Sequence, residues 1–319
     1  MSAPRIEVIA PSGAHLSLEA FDAALAALRA RGYAVRCTVP REPWQRFSDT
    51  DAGRLEQIHR AARAEDIDAV MIVRGGYGLS RLLDRIDWAL VAASAVRGVR
   101  WIGYSDFTAF QLALLARTGA ASYAGPGVSG DFGRVPPDPF MLAQFDALMA
   151  GQLPAVQWSA AAAGTVDGAG GEATGEATGT VGSRVGGTPL EGTLWGGNLS
   201  LVAAAVGTPW LPQVDGGLLF LEDVAEHPYR VERMLHQLLY AGVLARQRAI
   251  VLGAFSEWRP APHDNGYDLQ SVIEYFRGRL TVPIVAGLPF GHVPRKALLG
   301  VGMRYRLEPR GDGWRLAPA

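Results

Sequence analysis

Ser105 lies in the run Gly103-Tyr104-Ser105-Asp106, where a short apolar segment, Trp101-Ile102-Gly103, breaks at once into a helix-like one. A strand that turns so abruptly pushes a hydroxyl out at its tip, as in a nucleophile elbow, although Phe107 replaces the second glycine of that motif. The plain structural reading is a helix N-cap, with Ser105, Asp106 or Thr108 accepting a backbone N–H. A seryl hydroxyl becomes a nucleophile when a base takes its proton, and the base needs an acceptor to orient it. Of the six histidines, His15, His59 and His236 fall in or beside amphipathic segments, and His227 and His263 in loops. His292 sits in Leu288-Pro289-Phe290-Gly291-His292-Val293-Pro294, an irregular loop after an apolar strand, where function concentrates. Glu222 follows four apolar residues and opens Glu222-Asp223-Val224-Ala225-Glu226, so it reads as a strand-end carboxylate or as solvated punctuation. The chain order Ser, Glu, His is one that α/β-hydrolases use on another fold.

A second signal is Arg74-Gly75-Gly76-Tyr77-Gly78, which follows the unbroken apolar run Ala69 to Val73. Its glycines free backbone N–H groups to turn toward an anion or a developing oxyanion, and one such donor is worth about 2.7–4 kcal/mol in a transition state. A glycine cluster is also what any tight βα turn uses. No Gly-Lys-Ser/Thr follows, so this is not a P-loop, and the spacing is not a GxGxxG dinucleotide fingerprint.

The elements that must position these residues follow from periodicity. Up to about residue 150 short β-branched runs alternate with amphipathic segments, the pattern of βαβ units on a mostly parallel sheet, whose carboxyl edge holds ligands. Ile6 to Ala10, Tyr33 to Val39, Ala69 to Val73 and Trp101 to Gly103 read as strands. Leu18 to Leu28 reads as a helix, and Leu55 to Ala62 as another capped by Asp49 or Asp51. Between Ser159 and Pro189 the composition collapses to Gly, Ala, Thr and a few acids, including Gly171-Glu172-Ala173-Thr174 and its tandem copy, so a flexible linker is expected. After it come strands at Thr193 to Trp195, Leu218 to Leu221 and Ile250 to Gly253. Helices are read from Asn198 and around Arg233 to Leu239, and the chain ends in strand-like segments (Val282 to Ala286, Met303 to Leu307, Trp314 to Leu316) without a final helix. The expected organisation is an α/β domain over 1–150, a linker over 151–188 and a second α/β domain over 189–319.

Composition bounds the function. At roughly 100–200 residues per domain, 319 residues give two domains, and 49% apolar residues fill a core in each. Thirty basic against 31 acidic residues leave a net charge of −1, which offers no field for nucleic acid or an anionic membrane. A single cysteine, Cys37, excludes an internal disulfide framework and a thiolate metal cluster. No apolar stretch is long enough to span a bilayer, and Met1-Ser2-Ala3-Pro4-Arg5 lacks the features of a secretory signal, so the cytoplasm is the expected location. Lys296 is the only lysine, and the arginine bias by itself carries no functional reading.

Five blocks in the same order make the chain resemble the LD-carboxypeptidase family of serine peptidases, which includes muramoyltetrapeptide carboxypeptidases and microcin-C immunity peptidases. They are Arg74 to Gly78, Gly103 to Asp106, Leu194-Trp195-Gly196-Gly197-Asn198-Leu199, Phe220 to Asp223 with Pro228-Tyr229-Arg230, and Gly287 to His292. The resemblance implies a flavodoxin-like N-terminal parallel sheet and a C-terminal α/β domain with the active site at their interface. It implies Ser105 as nucleophile, Glu222 as orienting acid, His292 as general base, and an oxyanion hole of backbone N–H groups near Gly76 and Asp106. Arg74 and Arg230 are candidates for the terminal carboxylate, and Asn198 is a third substrate-binding candidate. The activity implied is metal- and cofactor-independent acyl transfer that releases the terminal D-Ala of a muropeptide tetrapeptide at an L-to-D bond during peptidoglycan recycling, by a homodimer. A second reading within the family is hydrolysis of aminoacyl or peptidyl sulfamoyl-adenylates, which a base-stacking tryptophan such as Trp195 or Trp258 would favour. A third is a non-catalytic small-molecule binder that keeps the two lobes.

Overall fold

The structure is a computed structural model that describes residues 3–159 and 188–319. The chain divides into two compact units. The first comprises Met1–Leu153, Gly207–Pro212 and Pro294–Gly302, and the second Pro154–Val206, Gln213–Val293 and Met303–Ala319.

In the first unit, strands β1 (Arg5–Ile9), β2 (Ala34–Cys37), β3 (Ala69–Ile72), β4 (Arg100–Gly103) and β5 (Ser122–Ala124) alternate with helices. These are α1 (Leu18–Ala30), α2 (Asp51–Arg63), α3 (Trp88–Val96) and α4 (Phe107–Thr118), with α5 (Pro139–Met149) after β5. The parallel strands lie in the order β2-β1-β3-β4-β5, the flavodoxin-like arrangement. Ser17 caps α1 by accepting from Ala20 N–H, and Phe21, Leu25 and Leu28 on one face of that helix pack into a core with Val8, Met71 and Ile102 of the sheet. Phe145 and Leu148 of α5 close the same core, with Phe132 edge-on to Phe145 at 5.0 Å. The cap of α2 is Thr50, whose hydroxyl accepts from Gly53 N–H, and not Asp49 or Asp51.

The second unit begins with β6 (Val156–Ser159) and continues through β7 (Leu190–Asn198), α6 (Leu199–Ala204), β8 (Leu218–Val224), α7 (Pro228–Tyr240), β9 (Ala249–Ser256), α8 (Leu269–Arg279) and β10 (Ile284–Ala286). The chain then returns to the first unit for β11 (Leu299–Val301), which pairs antiparallel with β5, before β12 (Arg304–Arg310) and β13 (Gly313–Pro318) complete the second. The second sheet has the order β10-β9-β8-β7-β12-β13-β6, parallel from β10 to β7 and antiparallel beyond it. Leu218–Leu221 of β8 are fully buried at its centre, as expected of a parallel strand covered on both faces.

Three expectations change. Val156–Ser159 is a strand paired with β13 through Trp158 and Trp314, so the span 151–188 is not a linker throughout; the low-complexity residues 160–187 lie outside those described. Residues 207–212 and 294–302, expected in the C-terminal domain, belong to the first unit. Residues 151–153 also belong to it. Among the described residues no helix is long and apolar enough to cross a membrane.

Candidate active site

The loops after β1, β3 and β4 leave the same carboxyl edge of the first sheet, and β4 delivers Ser105. Its φ is +63°, a left-handed conformation that a non-glycine residue holds only where the surroundings enforce it. The Ser105 C=O accepts from Thr108 N–H at 2.9 Å, so α4 starts directly behind the serine. Its close neighbour is Gly75. A Cβ there would lie 2.6 Å from Ser105 Cβ, 2.7 Å from its Oγ and 3.0 Å from Asp106 N, so the glycine loop passes the hydroxyl at a distance only bare backbone permits. Gly76, at φ +101°, then turns the chain.

Asp106 stands at the start of α4 without capping it. Its Oδ2 instead accepts from Ser12 Oγ at 2.7 Å and from Leu79 N–H at 3.0 Å, tying the elbow to the loops after β1 and β3. Burial pushes this carboxyl above its ordinary value, against the two hydrogen bonds that favour its charge. Arg74, half-buried at the head of the glycine loop, donates to Ala14 C=O at 3.2 Å and pairs with no carboxylate among the described residues. Desolvation lowers its pKa, as expected of a cation without a counter-charge beside it. The C=O of Arg46 accepts from Ala14 N–H at 3.1 Å, and its exposed guanidinium stands 5.7 Å from the Tyr77 ring centre.

In the second unit, β8 carries Glu222 near its carboxyl end, fully buried. Its Oε2 lies 2.8 Å from His292 Nδ1, and its Oε1 accepts from Asn198 Nδ2 at 3.3 Å. A carboxylate that accepts here is met by an imidazole with its proton on Nδ1, the tautomer whose Nε2 is the basic nitrogen. Gly291 makes the approach feasible: at φ +135° its missing Cβ would meet Glu222 Oε2 at 3.1 Å and Ala254 at 3.2 Å. Phe290 C=O accepts from Ala254 N–H at 2.8 Å, and the Phe290 ring meets Phe220 edge-on at 5.4 Å, fixing the loop on β8 and β9.

Asn198, read from sequence as a substrate contact, has its amide committed inside the unit. Nδ2 also donates to Asp223 Oδ1 at 2.9 Å, while Oδ1 caps α6 at Leu201 N–H. Asp223 in turn accepts from Ser200 N–H and Oγ, and its burial raises its pKa. Asn198 thus links Glu222, Asp223 and the start of α6 by hydrogen bonds. Arg230 is exposed on the first turn of α7, bonded to Tyr229 Oη at 3.2 Å and 3.7 Å from Glu226. Trp195 is buried with its indole N–H on Gln247, so it offers no face to a nucleobase; Trp258 is almost as buried, 5.6 Å from the His227 ring. Sequence reasoning missed the close pass of Gly75 and the link from Asp106 to Ser12. No local pattern sets Gly75 apart from Gly76, and the other contact joins distant loops.

The first unit thus presents a serine in a left-handed elbow on a flavodoxin-like sheet, and the second a histidine bound by a buried carboxylate. The chain belongs to the LD-carboxypeptidase family: the family's N-terminal domain matches residues 6–125 and its C-terminal domain residues 191–307. It is a peptidase of that family. It is similar to the murein tetrapeptide carboxypeptidase of Pseudomonas aeruginosa, at 31% identity over 302 residues that cover 90% of this chain and 88% of that protein. The crystal structure of muramoyltetrapeptide carboxypeptidase from Oxalobacter formigenes superposes with a TM-score of 0.84 at 39% identity, covering 98% of this chain and 97% of that one. The microcin C7 self-immunity protein MccF in complex with glutamyl sulfamoyl guanosine shares the fold, with a TM-score of 0.81 at 18% identity over all of this chain and 97% of that one.

Proposed function

We propose that the protein is a serine LD-carboxypeptidase that hydrolyses the L-to-D peptide bond before the terminal D-Ala of muropeptide tetrapeptides, a step of peptidoglycan recycling. The observation that carries the reading is the 2.8 Å contact of buried Glu222 with His292 Nδ1, which makes Nε2 the nitrogen that can act as base. In this reading Ser105 Oγ attacks the carbonyl carbon of the penultimate residue while His292 Nε2 takes its proton, and Glu222 stabilises the imidazolium. Backbone N–H groups near Gly76 and Asp106 hold the oxyanion. The tetrahedral intermediate collapses as His292 returns the proton to the D-Ala nitrogen, which leaves as free amino acid. Water, deprotonated by the same histidine, then releases the acyl group from Ser105. Arg74 is the better candidate for the terminal carboxylate, because its half-buried guanidinium lacks an acidic partner among the described residues, whereas Arg230 already has Glu226.

The muropeptide reading is preferred to the sulfamoyl-adenylate one because the relatives at 31% and 39% identity carry muropeptide names, and because Trp195 faces the core. The test is incubation of wild type and Ser105→Ala with L-Ala-γ-D-Glu-meso-diaminopimelate-D-Ala, following D-Ala by mass spectrometry. Release by wild type alone is expected. Release by neither overturns the tetrapeptide substrate, and equal release by both overturns Ser105 as nucleophile.

A further inference from the structure

Lys296, the chain's only lysine, is 1% exposed in the first unit. A buried ammonium must be paired and hydrogen-bonded to be tolerated. Its Nζ donates to Asp131 Oδ1 at 3.0 Å, and that carboxylate is buried too. The ammonium also stands 3.9 Å from the centre of the Tyr104 ring, well inside the range of about 6 Å for a cation over an aromatic face. Tyr104 is the residue immediately before Ser105.

The same pair reaches the glycine loop. Asp131 Oδ2 accepts from Gly127 N–H at 2.8 Å, and Ser129 N–H in the same turn donates to the C=O of Val73, the residue before Arg74, at 2.9 Å. A Cβ on Gly127 would sit 3.5 Å from Val73 O and 3.6 Å from Tyr104 Cε1, so this turn lies against both loops at once. Asp106 binds the two loops from one side, and Lys296 with Asp131 from another.

We propose that Lys296 is a positioning residue for the nucleophile elbow, its ammonium holding the Tyr104 ring while Asp131 supplies the counter-charge and braces the glycine loop. The proposal rests on Ser105 being the nucleophile. Such an ion pair is weak support for stability, since apolar groups of the same volume often do as well. A serine held at φ +63°, however, needs its surroundings to over-determine it, and the residue before it is the nearest handle. With the ring released, Tyr104 and Ser105 can relax together, moving Oγ away from its place against Gly75.

The test compares wild type, Lys296→Met, Asp131→Asn, the double variant and Ser105→Ala. In the double variant neither member of the pair leaves an unmatched charge behind, and the amide oxygen introduced by Asp131→Asn still accepts from Gly127 N–H, so this variant keeps the proposal decidable if Lys296→Met alone fails to fold. Labelling of Ser105 by a fluorophosphonate, read by intact mass, reports the nucleophile without relying on any peptide substrate. The double variant is expected to melt as one species with unchanged circular dichroism, yet to label about 10- to 100-fold more slowly, the scale of loss from a small misplacement of reacting groups. The kcat for D-Ala release should fall with it while KM holds. Incorporated lysine labelled at Cε gives a single resonance, expected upfield of free lysine through the ring current and returning toward it in Tyr104→Leu. Labelling of the double variant at the wild-type rate, or an unshifted lysine signal, overturns the proposal. A wild type that the probe leaves unmodified at Ser105 overturns the nucleophile reading itself, and the positioning role falls with it.

Discussion

Glu222 has both carboxylate oxygens engaged, one by His292 Nδ1 and the other by Asn198 Nδ2, so its chemistry can be tested by exchanging only its acceptor character. In Glu222→Gln, an amide N–H facing Nδ1 favours the tautomer with its proton on Nε2, which removes the base. The expected result is a fall in kcat of about 10³–10⁴ with little change in KM, measured on the tetrapeptide. Asp106 makes a second prediction at this scale. Burial raises its pKa above 3.8, so the folded state holds this proton more tightly than the unfolded chain. The stability it contributes is therefore complete below about pH 3.8 and is lost as pH rises through the folded value. Asp106→Asn removes that titration, so the variant should gain stability relative to wild type as pH rises above about 3.8 in urea unfolding. Ser105, Glu222 and His292 were legible as candidates because each comes directly after an apolar run or in the loop that follows one, a local pattern. Gly75 was not, because its role is set by Ser105, 30 positions on, and nothing beside it in the chain records that contact.

At the scale of elements, the second unit's candidate residues depend on the register of β7 and β8, with Asn198, the last residue of β7, paired to Glu222 across the ladder. Asn198→Ala loses the cap of α6 and strips a donor from two buried carboxylates. Destabilisation of about 2–4 kcal/mol in chemical unfolding is expected, from a cap of about 1 kcal/mol and unsatisfied acceptors of about 1–3 kcal/mol. In the first unit Gly75→Ala places a methyl 2.6 Å from Ser105 Cβ. Since the clash falls on Ser105 Cβ and the Asp106 backbone N and not on a flexible side-chain end, labelling by a fluorophosphonate should drop at least about 100-fold and the melting temperature should fall with it, by the equivalent of about 1–3 kcal/mol. The long strands and α1 were legible from periodicity. Helix α3 was not: Trp-Ala-Leu-Val-Ala-Ala-Ser-Ala-Val has no polar stripe to mark its outer face, and β5 and β11 have only three residues each, too few for alternation to register.

Over the whole molecule, chain order and spatial unit do not coincide, and the sequence carries no sign of it. A composition break near residue 159 suggests one boundary, but Pro294–Gly302 returns to the first unit, adding β11 to the edge strand β5 and Lys296 to Asp131. Pairing over three residues and one ion pair between positions 165 apart are long-range events without local propensity. They make a prediction about folding: a fragment ending at Leu153 keeps every parallel strand of the first sheet but loses the antiparallel partner of β5 and leaves Asp131 buried without a counter-ion. Removing one partner of a buried pair costs about 3–5 kcal/mol, and a domain's entire stability is about 5–15 kcal/mol. Fragment 1–153 should therefore lack a cooperative thermal transition, whereas the full chain carrying Lys296→Met and Asp131→Asn retains one. A fragment that melts sharply would show that the returning segment serves the elbow without being needed for the fold. A fragment that fails only until a peptide of residues 294–302 is added would tie folding and site assembly to the same short segment.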